Sequence, residues 1–486
     1  MRPIAHSRVK TYGIATAVAT LALTASACGS TKTTSGSTKT TSSQASSTTA
    51  AGQCNLAALN AATTPVNITF WESAGGTAKD PHSGEHLLLS IVNKFNASQT
   101  KIHVTDVNQQ SYFDGAWTPY LNSLRTHTSP NIVYFDDNYV KDAVDSKSFV
   151  PVAACAAADK YSTSDFLPKA IAQQSVNGTL WGMPYTGSGY IMYYNQQAMT
   201  KAGIAAPPRT FAQVVADAAK FKAAGYSDGI SLSNDPVYLQ LFDASAGKYY
   251  LNNNNGRGAK SATAASFDNP TSLDFLNYVH EMVASGTEKG YAATGPGTAA
   301  FDNLLAVGNG LSGLTISPSG TLGTVEAVAK AYPKATFKVA PVPSVGSTNL
   351  GLPSEGQALY LPKSSTPAQL AASWVFLKYL VSASHMATFD AGTGFVPVRS
   401  SAAAQPAMTS LWASNPAYKV AYTEMTGGTV NQATAGPLLG PLTSSDNSIA
   451  NMLAKVETDP TANPSALLSQ AQSQTTSLIT SYNASN

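Results

Sequence analysis

Three short stretches place aromatic or acidic side chains directly after segments that read as strands. Trp71, Glu72 and Ser73 end or follow the β-rich run 66–71 (VNITFW), Tyr112 and Phe113 follow 101–107 (KIHVTDV), and Asp136 and Asp137 follow 131–135 (NIVYF). Aromatic rings offer flat faces for stacking, and carboxylates accept hydrogen bonds from hydroxyls. Such a set suits a ligand with hydroxyls at its edges and C–H patches on its faces. Trp71 would stack on it and Glu72 would accept its hydroxyls; one of Asp136 and Asp137 would do the same.

Catalytic and metal chemistry finds less support. Two carboxylates can hydrolyse a glycosidic bond, but the chain holds 27 acids, so a pair alone decides nothing. A secreted carbohydrate-active enzyme therefore stays open as a reading of another class. There is no G-x-S-x-G elbow to anchor a hydrolase. Residues 308–313 (GNGLSG) fit G-x-G-x-x-G, yet they follow a helical stretch, the wrong context for a dinucleotide. His82, Glu85 and His86 do not follow the H-E-x-x-H order, and the seven histidines are scattered, so neither a metal nor a cofactor is expected.

The elements around these residues alternate. Strand 66–71, helix 84–97, strand 101–107, helix 112–126 and strand 131–135 predict a mostly parallel sheet with crossover helices. Ligands of such sheets sit beyond the carboxyl ends of the strands, where the three stretches lie. Residues 186–195 (TGSGYIMYYN) read as a chain crossing between lobes. Beyond them, helices are expected near 209–224, 269–285, 298–308, 321–331, 366–382 and 384–390, and strands near 229–233, 311–316, 337–342 and 357–361. The alternation argues against an adhesin built of short, regularly spaced strands. With 486 residues and 43% apolar content, two large globular lobes are expected. Charged residues are only 12% and the net charge is +2, spread along the chain, which excludes a basic face for nucleic acid.

The N-terminus reads as an address. Arg2, Arg8 and Lys10 precede a small apolar run, 13–27, that is too short to span a membrane and has the pattern of a secretory signal peptide. It closes on Ala25-Ser26-Ala27-Cys28, which resembles the bacterial lipobox with Ala25 in place of the usual Leu. Cys28 would then carry lipid. Of residues 30–49, 15 are Ser or Thr, so 28–53 reads as a flexible tether. The expectation is an exported domain anchored by lipid to the outer face of the cytoplasmic membrane. Cys54 and Cys155 remain, in a compartment that permits disulfides, and a bridge between them is expected.

Four stretches, in order, carry a resemblance. They are 68–73 (ITFWES) with 93–97 (NKFNA); 178–185 (GTLWGMPY) with 193–195 (YYN), 201–203 (KAG) and 207–211 (PPRTF); 317–322 (SPSGTL); and 356–363 (GQALYLPK) with 371–374 (AASW) and 393–397 (TGFVP). The chain resembles the extracytoplasmic solute-binding proteins of ABC importers, in the carbohydrate branch that includes the maltodextrin- and glycerol-3-phosphate-binding proteins. The resemblance implies an α/β, two-lobed periplasmic-binding-protein-like fold of type II, with hinge crossings and a ligand cleft between the lobes. The first lobe would be 64–185 plus 338–372, the second 186–337 plus 373–486. It implies a monomeric, non-enzymatic receptor that closes on its ligand and delivers it to the transmembrane subunits of a permease.

The resemblance also carries over to particular positions. Tyr112 matches the first member of a ligand-touching Tyr-Glu pair in the glycerol-3-phosphate binders, whereas Phe113 departs from the second and suits stacking. Ser188, Ser319 and Gly356 match ligand contacts; Tyr185 and Tyr190 lie at the crossing, and Ser317 stands beside Ser319 between strand and helix. The phosphate end departs from the pattern. Phe395 replaces a Tyr, and Leu438 stands near the place of a late Arg. A buried phosphate needs Arg or Lys, so a neutral sugar or oligosaccharide is expected, with glycerol 3-phosphate or a glycerophosphodiester as the alternative ligand.

Overall fold

The computed structural model describes residues 53–81, 83–109, 116–290, 298–323, 325 and 336–486. All of them belong to one compact unit. The signal segment 1–27, Cys28, the tether up to residue 52, and the pair Tyr112 and Phe113 lie outside the described residues.

The strands are β1 (Val66–Glu72), β2 (Ile102–Asn108), β3 (Ile132–Asp136), β4 (Phe149–Val150), β5 (Ser175–Val176), β6 (Thr179–Leu180), β7 (Met183–Ser188), β8 (Tyr190–Asn195), β9 (Leu314–Pro318), β10 (Phe337–Ala340) and β11 (Glu355–Pro362). The first sheet runs β2-β1-β3-β11-β4, with β7 also paired to β11. Its β1, β2 and β3 are parallel, as crossover helices require. The expectation of a mostly parallel architecture stops there. β11 is antiparallel to β3, β4 and β7, and the second sheet, β10-β8-β9, is wholly antiparallel. The physical reason is that β11 enters the first sheet from the other lobe, so it needs no crossover helix and takes the opposite direction. Residues 229–233 form no strand; Gly229 and Ile230 make only isolated bridges, to Ser312 and Glu288.

Each sheet buries its own core. In the first, Phe376 of helix Pro367–Leu380 packs against Phe70 of β1 and Phe95 of helix Gly84–Ser98, with ring centroids 5.8 and 4.9 Å away. In the second, Phe211, Phe242 and Phe275 meet from three helices. All six residues of β8 are buried, since this central strand is covered on both faces; Tyr190, Met192 and Tyr194 face the second core, while Ile191 and Tyr193 join the first. β10 pairs with β8, so the return to the first sheet falls after 340 rather than at 338. Helix Ala383–Thr393 packs with the first core through Met386 and Phe389, so the chain stays there beyond 373.

One backbone feature stands out. Asn253, Asn254 and Asn255 are all left-handed (φ 52°, 56° and 62°), and Gly256 continues at 73°. For L residues this region costs roughly 1–2 kcal/mol each. The run is clamped: Asn255 Oδ1 accepts from Leu251 N (3.1 Å), Asn255 Nδ2 donates to Gln432 O (3.1 Å), and Leu438 N donates to Asn255 O (3.0 Å).

Cys54 and Cys155 form a disulfide with Cα atoms 5.1 Å apart, closing a separation of 101 residues. Replacing both by serine is expected to lower the unfolding free energy by about 2–5 kcal/mol. Urea or thermal denaturation of the two proteins, side by side, measures it; coincident curves would contradict the expectation.

Candidate ligand cleft

The lobes meet where β7 runs into β8 with only Gly189 between them. β11 begins alongside, with Glu355 opposite Ser188 and Gly356 opposite Gly187. A third segment joins through Val396, which exchanges backbone hydrogen bonds with Gly187 (2.9 and 2.8 Å). From the second lobe, Ser319 N donates to Gly189 O (2.8 Å) and Ser319 Oγ accepts from Gly189 N (3.3 Å). The strands approach so closely that a Cβ on Gly356 would stand 2.1 Å from Thr186 O. Gly356 is therefore required by its neighbouring strand.

Around this junction sit carboxylates from both lobes. Asp136 ends β3; its Oδ1 accepts from Asn138 N (3.3 Å), capping the turn Asp137–Tyr139, and its Oδ2 accepts from Gln357 Nε2 (3.2 Å). Asp136 thus caps this turn and stands at the junction. Asp137 accepts from Gln173 Nε2. In the second lobe, Asp235 accepts from the Tyr190 hydroxyl (2.5 Å), and Asp446 of helix Leu442–Thr458 accepts from Gln240 Nε2 (3.3 Å). Burial pushes the Glu355 carboxyl well above the usual range, and the same-sign charges of Asp235, Asp136 and Asp446 push it further. Burial and then Asp136 and Glu355 raise Asp137 in the same way. Among the described residues, no group of three or more His, Cys, Asp or Glu side chains could hold a metal ion.

Of the residues singled out from sequence, Asp136, Asp137, Ser188, Tyr190 and Ser319 come together at this junction. Sequence reasoning gave no ligand role to Glu355, Asp235 or Asp446. Asp235 follows a short β-prone stretch and precedes a proline, a usable signal; Asp446 lies in a helix with none. Ser317 and Phe395 border it: Ser317 pairs with Ile191, and a Cβ on Gly320 would stand 3.7 Å from the Phe395 ring. Trp71 is half-buried against the cluster of Tyr120, Val133 and Phe135. Ser73 and Ser317 are buried, and the Ser317 hydroxyl has no partner among the described residues. Tyr185 is fully buried, edge-on to Tyr134 (5.7 Å) and packed on Phe389 (5.3 Å). It faces away from Ser188 by strand alternation and packs in the first core. Phe395 stacks on Phe389, 6.2 Å away and 9° from parallel. Leu438 packs with Val140 and Val176 across the lobe boundary.

Glu72 is not a solvent-facing acceptor. It is completely buried; Ala74 N donates to Oε2, while Oε1 and Asp106 Oδ1 find no partner among the described residues. Burial first, and then the charge of Asp106, raise its pKa from 4.5 to about 8.

The comparisons with known proteins agree with this architecture. Residues 90–420 match the bacterial extracellular solute-binding protein family, and the chain belongs to it. The sn-glycerol-3-phosphate-binding periplasmic protein UgpB of Yersinia pseudotuberculosis is 24% identical over 374 residues, 75% of this chain and 81% of that protein. The UgpB protein of Escherichia coli O1:K1 is 23% identical over 386 residues, 77% and 83% of the two chains. Among solved structures, UgpB of Mycobacterium tuberculosis in complex with glycerophosphocholine superposes with a TM-score of 0.70 at 17% identity, covering 87% of this chain and all of that one. The sugar-binding protein MalE of Xanthomonas citri gives 0.70 at 16% identity over 86% and 98%. The GacH receptor of Streptomyces glaucescens, solved unliganded and with acarbose, gives 0.68 at 18% over 85% and 98%. The fold is the two-lobed one of periplasmic binding proteins. The protein is the solute-binding component of an ABC importer. No described helix is long and apolar enough to cross a membrane.

The raised Glu72 has a consequence for stability. The unfolded chain releases this proton near 4.5, whereas the folded chain holds it to about 8. Stability from this group is therefore complete below pH 4.5 and is lost as pH rises through 8, at about 1.4 kcal/mol per pH unit. Glu72→Gln is expected to flatten the fall in Tm between pH 5 and 8 and to raise Tm at pH 8 by several degrees. A Tm profile unchanged by the substitution would contradict it.

Proposed function

We propose that this receptor captures a neutral sugar or oligosaccharide between its lobes and hands it to a permease, working as a monomer held by lipid on Cys28. The observation that carries the ligand class is the convergence of Asp136, Asp137 and Glu355 from one lobe with Asp235 and Asp446 from the other, beside Tyr190. Carboxylates accept sugar hydroxyls and repel phosphate. The charge balance supports this: Leu438 is packed in an apolar contact, and the guanidinium of Arg257 is committed to backbone carbonyls. Ligand contacts to both lobes would favour the closed state and so drive closure.

A second reading rests on the sign of the charges beside Glu355, which are all negative. A solute carrying a cationic group as well as hydroxyls would relieve that repulsion. The glycerophosphocholine of the M. tuberculosis relative has such a group, which keeps a glycerophosphodiester in contention while disfavouring glycerol 3-phosphate itself.

Thermal unfolding against maltose, longer oligosaccharides, polyols, glycerophosphocholine and sn-glycerol 3-phosphate tests these readings. A ligand at a hundred times its Kd adds about 2.7 kcal/mol of stability. A shift with sugars supports the first reading; a shift with glycerophosphocholine alone supports the second. A shift with glycerol 3-phosphate alone overturns both. For whichever ligand binds, Asp235→Asn is expected to weaken affinity about tenfold or more, as loss of a charged hydrogen bond does. Isothermal titration measures it.

A further inference from the structure

Arg257 leaves the left-handed Asn253–Gly256 run and crosses the boundary between the lobes. A guanidinium has five N–H donors, and here five bonds to backbone carbonyls match them. Nε donates to Gly436 O (2.7 Å) and Nη2 to Ala435 O (2.7 Å), both in the segment leading to helix Leu442–Thr458 of the second lobe. The other three bonds reach the first lobe: Nη1 to Ala172 O (3.0 Å) and Ser175 O (3.1 Å), and Nη2 to Gln173 O (3.2 Å). Ala172 and Gln173 end helix Pro168–Gln173. The last carbonyls of a helix have no partner within it, so a cation there is well placed.

The contact continues into the cleft. Gln173, whose carbonyl Arg257 holds, uses its side-chain amide to bond Asp137 Oδ2 and Ser354 O, next to Glu355. The aim of Arg257 is also fixed from behind. A Cβ on Gly256 would fall 2.3 Å from Leu438 O, so the turn can neither relax nor accept another residue there. A stretch of unfavourable backbone held by side-chain clamps is a pattern found at working parts of proteins.

We propose that Arg257 is the latch between the lobes: a positioning residue that touches no ligand, holds the lobes in the arrangement that binds ligand, and orients Asp137 through Gln173. The inference rests on the reading of the protein as a receptor that closes. Its loss lowers the fraction of molecules competent to bind, and apparent affinity falls by that fraction for every ligand alike.

The test needs no ligand, so its failure is distinct from failure of the sugar reading. In the full chain with Cys28→Ser, spin labels are placed through Thr100→Cys in the first lobe and Ala284→Cys in the second, both exposed positions. Electron–electron resonance then reads the interlobe distance. Without Arg257→Ala, a short-distance population is expected. With it, the ratio of short to long distances is expected to fall at least tenfold, and Arg257→Lys, with three donors for five, is expected to lie between. Gly256→Ala keeps the arginine but shifts its base, and it is expected to behave like Arg257→Ala. Folded variants whose distances match the unsubstituted protein would overturn the proposal. So would loss of the folded state in all three variants, which would make Arg257 a structural residue only.

Discussion

The structure depends on a constraint at Gly187, Ser188 and Gly189. One extended segment must leave the first sheet and enter the second without a break in its hydrogen bonding. It does so because three partners meet it there: β11, Val396 and Ser319. Such close approach of backbones admits no side chain on the inner positions; a Cβ at Gly187 would sit 2.9 Å from Val396 O, and the limit at Gly356 is tighter still. This fixes where the lobes can pivot. It also fixes which residues flank the pivot, since Ser188, Tyr190 and Glu355 are one or two steps away along the same strands.

The electrostatics follow from that geometry. Each lobe contributes acids to the junction, and each acid is tolerable in its own lobe because a local donor supports it, Gln357 for Asp136 and Tyr190 for Asp235. Bringing the lobes together removes water from between like charges and raises their affinity for protons. Any charge that remains on these groups meets like charge from the facing lobe.

Much of this was legible in the sequence, and the exceptions have physical causes. The strands β1, β2 and β3 and their helices showed clear two- and four-residue periodicities, and glycine punctuation marked the crossing at 186–195. Asp136 and Asp137 could be placed because the end of a parallel strand is a predictable position. Glu72 misled, although it ends the same kind of strand, because Ala74 folds back over it and seals it from solvent. Tyr185 points away from its neighbour Ser188, because alternation sends the two side chains opposite ways. Asp446 could not be found, since only tertiary packing brings helix Leu442–Thr458 to the cleft. The antiparallel strands β8 to β11 were unreadable as to direction, because direction depends on which lobe the chain comes from.

The left-handed run bears on how long the protein lasts outside the cell. Asn255-Gly256 is the kind of pair at which asparagine ages chemically, when the next residue's nitrogen attacks the side-chain amide. That nitrogen here is held by Asn252 O (3.0 Å), while the amide itself is fixed by Leu251 N and Gln432 O. Attack would require both ends to let go at once. The clamps that aim a neighbouring arginine thus also slow a spontaneous deamidation whose product, a new carboxylate facing Gln432 O, would loosen the very turn that had protected it.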